Sequence, residues 1–166
     1  MKAILLSIKP EWAEKIYNGE KTIEWRKSRP RIDWNNHHTR VYIYETAPVK
    51  CITGHFTLFG TFAVDVNGML KPPVSGGRHS MTFNFVREML EDMDRSGCVP
   101  AVDLAKYQGG AKEIYGWTVS PFIKPTRIMP YRLDHFGLER PPQSWQYVED
   151  PAPTPVHRKP RAPKGG

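Results

Sequence analysis

The sequence predicts an α+β fold, in which a mixed or antiparallel sheet curls into a small barrel with helices at its ends. Two observations support this prediction. Short apolar or alternating segments of strand type occur along most of the chain, and helical patterns occur only after the first strand and in the second half. The length of 166 residues favours one domain that buries its own core.

The chain opens with a strand and a helix. Residues 2–8, KAILLSI, form a short apolar run, which predicts a buried strand. Residues 10–18 predict a helix, because Pro10 suits the first helical position and glutamates in the first turn complement the positive helix end. Gly19 suits the position just after the helix. Trp12 lies on the apolar stripe of this helix and is assigned to the core.

Strand-like segments dominate the next part of the chain. From Thr22 to Lys27 the residues alternate, which places Thr22, Glu24 and Arg26 on one face. Further along we expect a polar loop at 28–40, a strand at 41–44 and a long β segment at 50–66. Gly54 and Gly60 are expected to mark bulges or bends in that segment.

The second half combines helices and strands. The expected elements are a loop at 67–79, helices at 81–96 and 100–107, and closing strands at 113–120 and 126–133. The folded domain is expected to span residues 1–149. Residues 150–166 are rich in proline and poor in apolar groups, so we expect a disordered basic tail.

The charge of the chain is concentrated in this tail. The net charge is +7, from 24 basic and 17 acidic residues. Four of the basic residues lie in residues 151–166, which contain no acid, so residues 1–150 carry only +3. A mildly basic domain is compatible with phosphate-rich partners but does not require them.

The sequence favours a protein of the cytoplasm. Cys51 and Cys98 are too few for a disulfide framework. The first residues are too short an apolar run for a signal peptide, and no segment approaches the roughly 20 apolar residues of a membrane span. We therefore expect no membrane association.

A dense group of charges follows the first helix. Residues 19–26, GEKTIEWR, place Lys21, Glu24 and Arg26 close together, and three further basic residues follow at Lys27, Arg29 and Arg31. One interpretation is a solvated strand edge on which lysines prevent aggregation. The other is a polar site at the mouth of the fold, where these groups bind a phosphate and a base edge.

Three stretches of the sequence resemble the ASCH domain family, a branch of the PUA-like β-barrels. They are ILLSIKP leading to the G-x-K-x-x-E-x-R run, VYIYETAPVK with ITG, and YGW with FGL and PPQSW. Together they span residues 3–148. The ending is similar to that of ASCH proteins of phages and prophages, which implies a mobile-element origin.

The resemblance implies a PUA-like barrel with a cleft that holds RNA or a nucleotide. It carries over Lys21, Glu24 and Arg26 as ligand-binding residues. Residues near the same strand ends or loop complete the expected set: Ser7, Lys9, Arg29, Arg31, Trp34, Tyr44 and Glu45. Trp34 is the preferred stacking residue, because it lies in a polar loop beside Arg31.

Some ASCH-like proteins are acetylcytidine amidohydrolases, and the resemblance implies a lysine, a threonine nucleophile and a glutamate for them. Lys21 matches the lysine, but Glu24 occupies the threonine position. His55 follows Gly54 where the glutamate would be expected. Lys21 and Glu24 are therefore the catalytic candidates if the protein is a hydrolase of RNA or of a modified nucleoside, and His55 is a secondary one.

No cofactor or metal is predicted. Cys51 and His55 lie on one face of a strand but about 13 Å apart along it, which is too far for a shared zinc ion. The Gly76-Gly77-Arg78 run lacks the residues of a phosphate-binding loop. Three functions stay open: binding of RNA or a nucleotide, hydrolysis of RNA or a modified nucleoside, and a protein-interaction module of a mobile element.

Overall fold

The structure is a computed structural model that describes residues 1–32, 39–65, 67, 70–76 and 97–151. Its strands are β1 (Lys2–Ile8), β2 (Ile23–Arg26), β3 (Thr39–Glu45), β4 (Cys51–Asp65), β5 (Leu70–Gly76), β6 (Glu113–Val119), β7 (Thr126–Tyr131) and β8 (Trp145–Glu149). The helices are α1 (Pro10–Tyr17) and α2 (Ala101–Gln108), with a short 3-10 helix at Leu133–Phe136. This composition matches the α+β class that the sequence predicts.

One mixed sheet contains all eight strands of the described residues. Its main path runs β2-β6-β4-β3-β1-β8, and β5 and β7 pair with β4 beside that path. Among the described strands only β1 and β3 run parallel, and the chain between them includes α1 and β2. The other described pairs are antiparallel. The long β4 therefore holds the sheet together, with β3 and β7 along its first half and β5 and β6 along its second half.

The predicted closed barrel is wrong: the sheet is open. Strands β2 and β8 are the two ends of the main path and do not pair with each other. Side chains cross the gap between these ends instead. The Arg26 guanidinium donates to the backbone carbonyl of Ser7 at 2.8 Å, and Trp145 Nε1 donates to Ser28 Oγ at 2.9 Å. We call this gap, bridged by Arg26 and Trp145, the seam.

Three apolar clusters form the core. The first joins α1 to the sheet, with Ile16 of the helix against Ile4, Val41 and Trp117. The second lies under α2, where Leu104 packs with Ile23, Trp25 and Phe62, among others. The third lies on the opposite side of β1 and β3 and contains Leu5, Tyr42 and Tyr44. Side chains alternate along β1, so its two faces are buried in two different clusters.

Glycines set the local geometry at three predicted places. Gly19 ends α1 in the left-handed region at φ +84, as its position after the helix predicts. The register of β4 shifts beside Gly54 and beside Gly60, which confirms both as irregular points. A side chain at Gly54 would collide with the Tyr17 hydroxyl and the Thr126 carbonyl, so only glycine lets α1 and β7 approach here.

The second half of the chain differs in part from the expectation. The predicted loop at 67–79 contains β5, which pairs only with β4 and tolerates its two prolines because it is an edge strand. The helix α2 and the strands β6 and β7 agree with the predicted segments. The helix expected at 81–96 and nearly all of the expected disordered tail lie outside the described residues. Within the described part of the chain, no helix is both long and apolar enough to cross a membrane.

Candidate functional site

A cavity of about 550 Å³ opens at the seam. Its walls come from the end of β1, from α1, from β2, from α2 and from the segment that precedes β8. The described lining residues are Ser7, Ile8, Lys9, Trp12, Lys21, Glu24, Trp25, Arg26, Thr46, Val99, Asp103, Leu104, Tyr107 and Gln143. The charged motif and the opening of the sheet therefore coincide.

Lys21 lies in the wall of this cavity with only 2% of its surface exposed. The turn at Gly19 directs the chain back, and the Lys21 backbone N–H donates to the Lys15 carbonyl at 2.9 Å. The ammonium lies 3.4 Å from Glu24 Oε2, donates to the Gly97 carbonyl and sits 5.6 Å from the centre of the Trp12 ring. All of these contacts hold the positive charge inside the protein.

Glu24 connects Lys21 to Arg26. Its second oxygen, Oε1, accepts a hydrogen bond from Arg26 Nη2 at 2.7 Å, and its side chain is 8% exposed. The guanidinium also donates to the Ser7 carbonyl and, at 3.2 Å, to Ser144 Oγ. A network of one carboxylate and two cations thus spans the seam, as the strand alternation places Glu24 and Arg26 on one face.

One donor of this network is left over. Arg26 Nε is buried and has no hydrogen-bond partner among the described residues. A buried N–H without a partner is costly, and such groups are often found where a ligand or water binds. Arg26 lines the cavity, so this unpaired donor lies in the cavity wall, where it is shielded from solvent.

Most of the lining residues outside the charged motif were missed by the sequence analysis, and three of them are polar groups from distant segments. Asp103 and Tyr107 project from α2, and Gln143 precedes β8. Asp103 and Tyr107 are four residues apart, so helical periodicity places them on one face. Which face of α2 meets the cavity depends on how the helix docks over Trp25, and nothing in the local sequence signals that docking.

The predicted basic residues occupy two regions. Lys9 lines the cavity and is exposed. Arg29 lies elsewhere, with its guanidinium 5.2 Å from the centre of the Tyr115 ring. The backbone N–H of Arg31 donates to the Tyr147 hydroxyl at 2.6 Å, which ties this loop to β8. Trp34 lies outside the described residues.

Tyr44 and His55 are placed away from the cavity. Tyr44 is 8% exposed within the third core cluster. His55 lies edge-on to Tyr42 on the same side of the sheet, at 5.6 Å between ring centres. Burial, with a smaller contribution from the nearby Arg40 charge, lowers the pKa of His55 below its usual value.

Glu45 belongs to a second polar network, beside the end of α1. Thr53 Oγ1 donates to Glu45 Oε1 at 2.6 Å and lies 2.8 Å from the Tyr17 hydroxyl. Arg127 of β7 pairs with Glu45 and with Glu14 of α1. Burial is the main cause that raises the pKa of Tyr17 to about 12. These contacts tie α1 to β4 and β7.

Solved structures share the fold. The crystal structure of ASCH from Zymomonas mobilis superposes with a TM-score of 0.62 at 23% identity, covering 87% of this chain and 86% of that one. A tyrosine-to-phenylalanine variant of the same protein gives a TM-score of 0.63 at 22% identity, covering 89% and 90%. At this identity the likeness establishes the fold.

The family model matches the first part of the chain. Residues 6–67 match the family model described as ASCH domain. A protein named ASCH domain-containing ribonuclease, from Zymomonas mobilis subsp. mobilis, is 38% identical over 66 residues, which cover 40% of this chain and 43% of the relative. The chain thus matches less than half of that relative's length. Residues 6–67 support the predicted ASCH resemblance and contain Lys21, Glu24 and Arg26.

Proposed function

We propose that this protein binds RNA through the cavity at the seam. The observation that carries the proposal is the buried Lys21–Glu24–Arg26 network in the wall of an open cavity. Buried charges cost free energy unless they are paired and hydrogen-bonded. Here they border a cavity with aromatic walls, which is an arrangement typical of ligand sites. The ASCH resemblance of residues 6–67 favours RNA as the ligand.

A salt-dependent binding assay tests the proposal. A labelled single-stranded RNA is titrated with the wild type and with Arg26→Ala, and Arg132→Ala is the control because that side chain is 81% exposed in a surface ion pair. We expect Arg26→Ala to weaken binding strongly and Arg132→Ala to leave it nearly unchanged. Binding that ignores Arg26→Ala and disappears when residues 152–166 are deleted would overturn the proposal.

A ribonuclease activity is the second candidate. The observation that favours it is the relative named ASCH domain-containing ribonuclease. The cavity offers two carboxylates, Glu24 and Asp103, and the exposed amine of Lys9 for proton transfer. Labelled RNA is incubated with the wild type and with Asp103→Asn, in chelator and in added divalent metal. Intact RNA under both conditions would remove this candidate.

Three finer predictions keep their own tests. Glu24 stands in place of the threonine nucleophile, which argues against acetylcytidine amidohydrolase activity. Turnover of acetylcytidine by the pure protein would contradict this argument. A pull-down that recovers a defined protein and no nucleic acid would favour the interaction module. The mobile-element origin and the cytoplasmic location rest on the sequence patterns alone, and an experiment on the host cell would address both.

A further inference from the structure

We infer that the cavity takes an unpaired nucleobase, while the phosphates of the strand stay outside at its mouth. The inference rests on the proposed function and specifies which part of the nucleotide enters. The sequence predicts that Lys21, Glu24 and Arg26 bind a phosphate and a base edge together. The geometry points to the base alone inside the cavity, for three reasons.

First, the interior cations already bond to protein groups, and with one carboxylate between them their network has a net charge of only +1. Lys21 is 2% exposed and directs its ammonium to Glu24 and the Gly97 carbonyl. The terminal nitrogens of Arg26 bond to Glu24, the Ser7 carbonyl and Ser144. A phosphate placed in the cavity would meet the Glu24 carboxylate and find few free donors, so it would lose its hydration without adequate compensation.

Second, the walls suit a flat aromatic ligand. Trp12 enters from α1 and Tyr107 from α2, and the apolar side chains of Val99 and Leu104 complete this part of the lining. Tyr107 is 40% exposed, so its ring remains partly open to a ligand. Bases stack on aromatic rings with a gain of about 1–3 kcal/mol each. The volume of about 550 Å³ lies within the usual range for small-molecule sites.

Third, the remaining polar groups match the edge of a base. The Gln143 amide offers a donor and an acceptor, and the Asp103 carboxylate accepts. Bases present carbonyl oxygens, ring nitrogens and amino groups along one edge, which such a mixed set can bind.

Exposed cations lie where a strand would leave the cavity. Lys9 lines the cavity at the start of α1. The Lys27 ammonium lies 5.1 Å from the centre of the Tyr107 ring. Both side chains are exposed, so they can pair with phosphates without desolvating them. The phosphate contacts are therefore assigned to Lys9 and Lys27, and the base contacts to the cavity.

The test separates base from phosphate. Binding of a labelled single-stranded RNA octamer is compared with that of an all-abasic octamer that carries the same phosphates. The free nucleosides and inorganic phosphate are titrated as competitors. We expect the abasic octamer to bind at least about fivefold more weakly, which is the low end of one stacked base. We expect nucleosides to compete and inorganic phosphate not to.

Two variants locate the effect. Tyr107→Leu should reduce binding of the normal octamer and hardly change binding of the abasic one. Phe122→Leu is the control, because that ring is 67% exposed and does not line the cavity. Equal binding of the two octamers, or competition by phosphate alone, would overturn the inference while RNA binding stands.

A wild type that binds no RNA would overturn the proposed function. Direct nucleoside titration by calorimetry then decides the inference separately. Heat that is present with the wild type and lost in Tyr107→Leu supports base binding. Absence of heat with every nucleoside refutes it.

Discussion

Lys21 and Glu24 form a 3.4 Å ion pair in which the side chains are only 2% and 8% exposed. Arg26 adds a second cation at 2.7 Å from the other Glu24 oxygen. The carboxylate therefore pairs with both cations, and the group keeps a net charge of +1 with little exposure to water. Glu24 therefore links both cations within the wall of the cavity.

Replacing Glu24 by glutamine should destabilise the protein. The variant keeps size and hydrogen bonding but leaves Lys21 and Arg26 without a counter-charge. Removing one partner of a buried pair typically costs about 3–5 kcal/mol, and we expect about 3 kcal/mol because the glutamine oxygen still accepts one hydrogen bond. Urea unfolding measures the change in free energy.

The matched control for this prediction is Glu149→Gln. Glu149 pairs with the chain's amino terminus, but its side chain is 77% exposed, and surface pairs contribute at most about 1 kcal/mol. Equal losses in the two variants would show that the Glu24 network contributes no more than a surface pair. If Glu24→Gln failed to fold, Glu24 would be assigned a structural role alone.

Lys9→Ala should weaken RNA binding through a phosphate contact. Because the contact is electrostatic, the slope of log affinity against log salt should decrease by about 1, and the loss should be similar for all RNA sequences. Lys2→Ala, an exposed lysine at the other end of β1, is the control and should keep the wild-type slope. Anisotropy titrations over a salt series measure it, and identical slopes in both variants would remove Lys9 from the interface.

Local sequence patterns predict much of the fold and part of the site. The period of two in β2 places Glu24 and Arg26 on one face, and Gly19 allows the turn that brings Lys21 beside them. Both effects arise from neighbouring residues, so the sequence shows them. The buried strands β1 and β4 are recognised for the same reason.

Other features depend on contacts between distant segments. Asp103, Tyr107 and Gln143 reach the cavity only because α2 and the segment before β8 pack against it. At the seam the side chains of Arg26 and Trp145 bridge the two sheet ends, where a ladder of backbone hydrogen bonds would have closed a barrel. The hydrophobic periodicity of a strand does not indicate whether the two ends of a sheet will pair.

His55 should make the protein less stable in mild acid. Its pKa is lowered in the folded state, mainly by burial, so between that pKa and the usual value of 6.5 the unfolded chain binds more protons. The stabilisation is complete above pH 6.5 and is lost as the pH falls through the folded pKa. His55→Gln should flatten this part of the curve of unfolding free energy against pH. An imidazole that titrates at or above 6.5 by NMR would contradict the prediction.

Tyr17 should make the protein less stable in alkali. Its pKa rises from 10.0 to about 12, mainly through burial, so between these values the folded chain keeps a proton that the unfolded chain loses. Stability is therefore unaffected below pH 10 and falls as the pH rises towards 12. The slope is at most about 1.4 kcal/mol per pH unit, and less because the hydroxyl is only partly buried.

Tyr17→Phe isolates this contribution. The variant loses the hydrogen bond to Thr53, so it should be less stable than the wild type by about 1 kcal/mol at neutral pH. The difference should shrink above pH 10, because phenylalanine has no proton to lose. The free energy of unfolding of the variant should still fall with pH in this range, because the pKa of Tyr42 is also raised to about 12. Urea unfolding across the alkaline range measures both curves, and parallel curves would mean that Tyr17 ionises equally in the folded and unfolded chains.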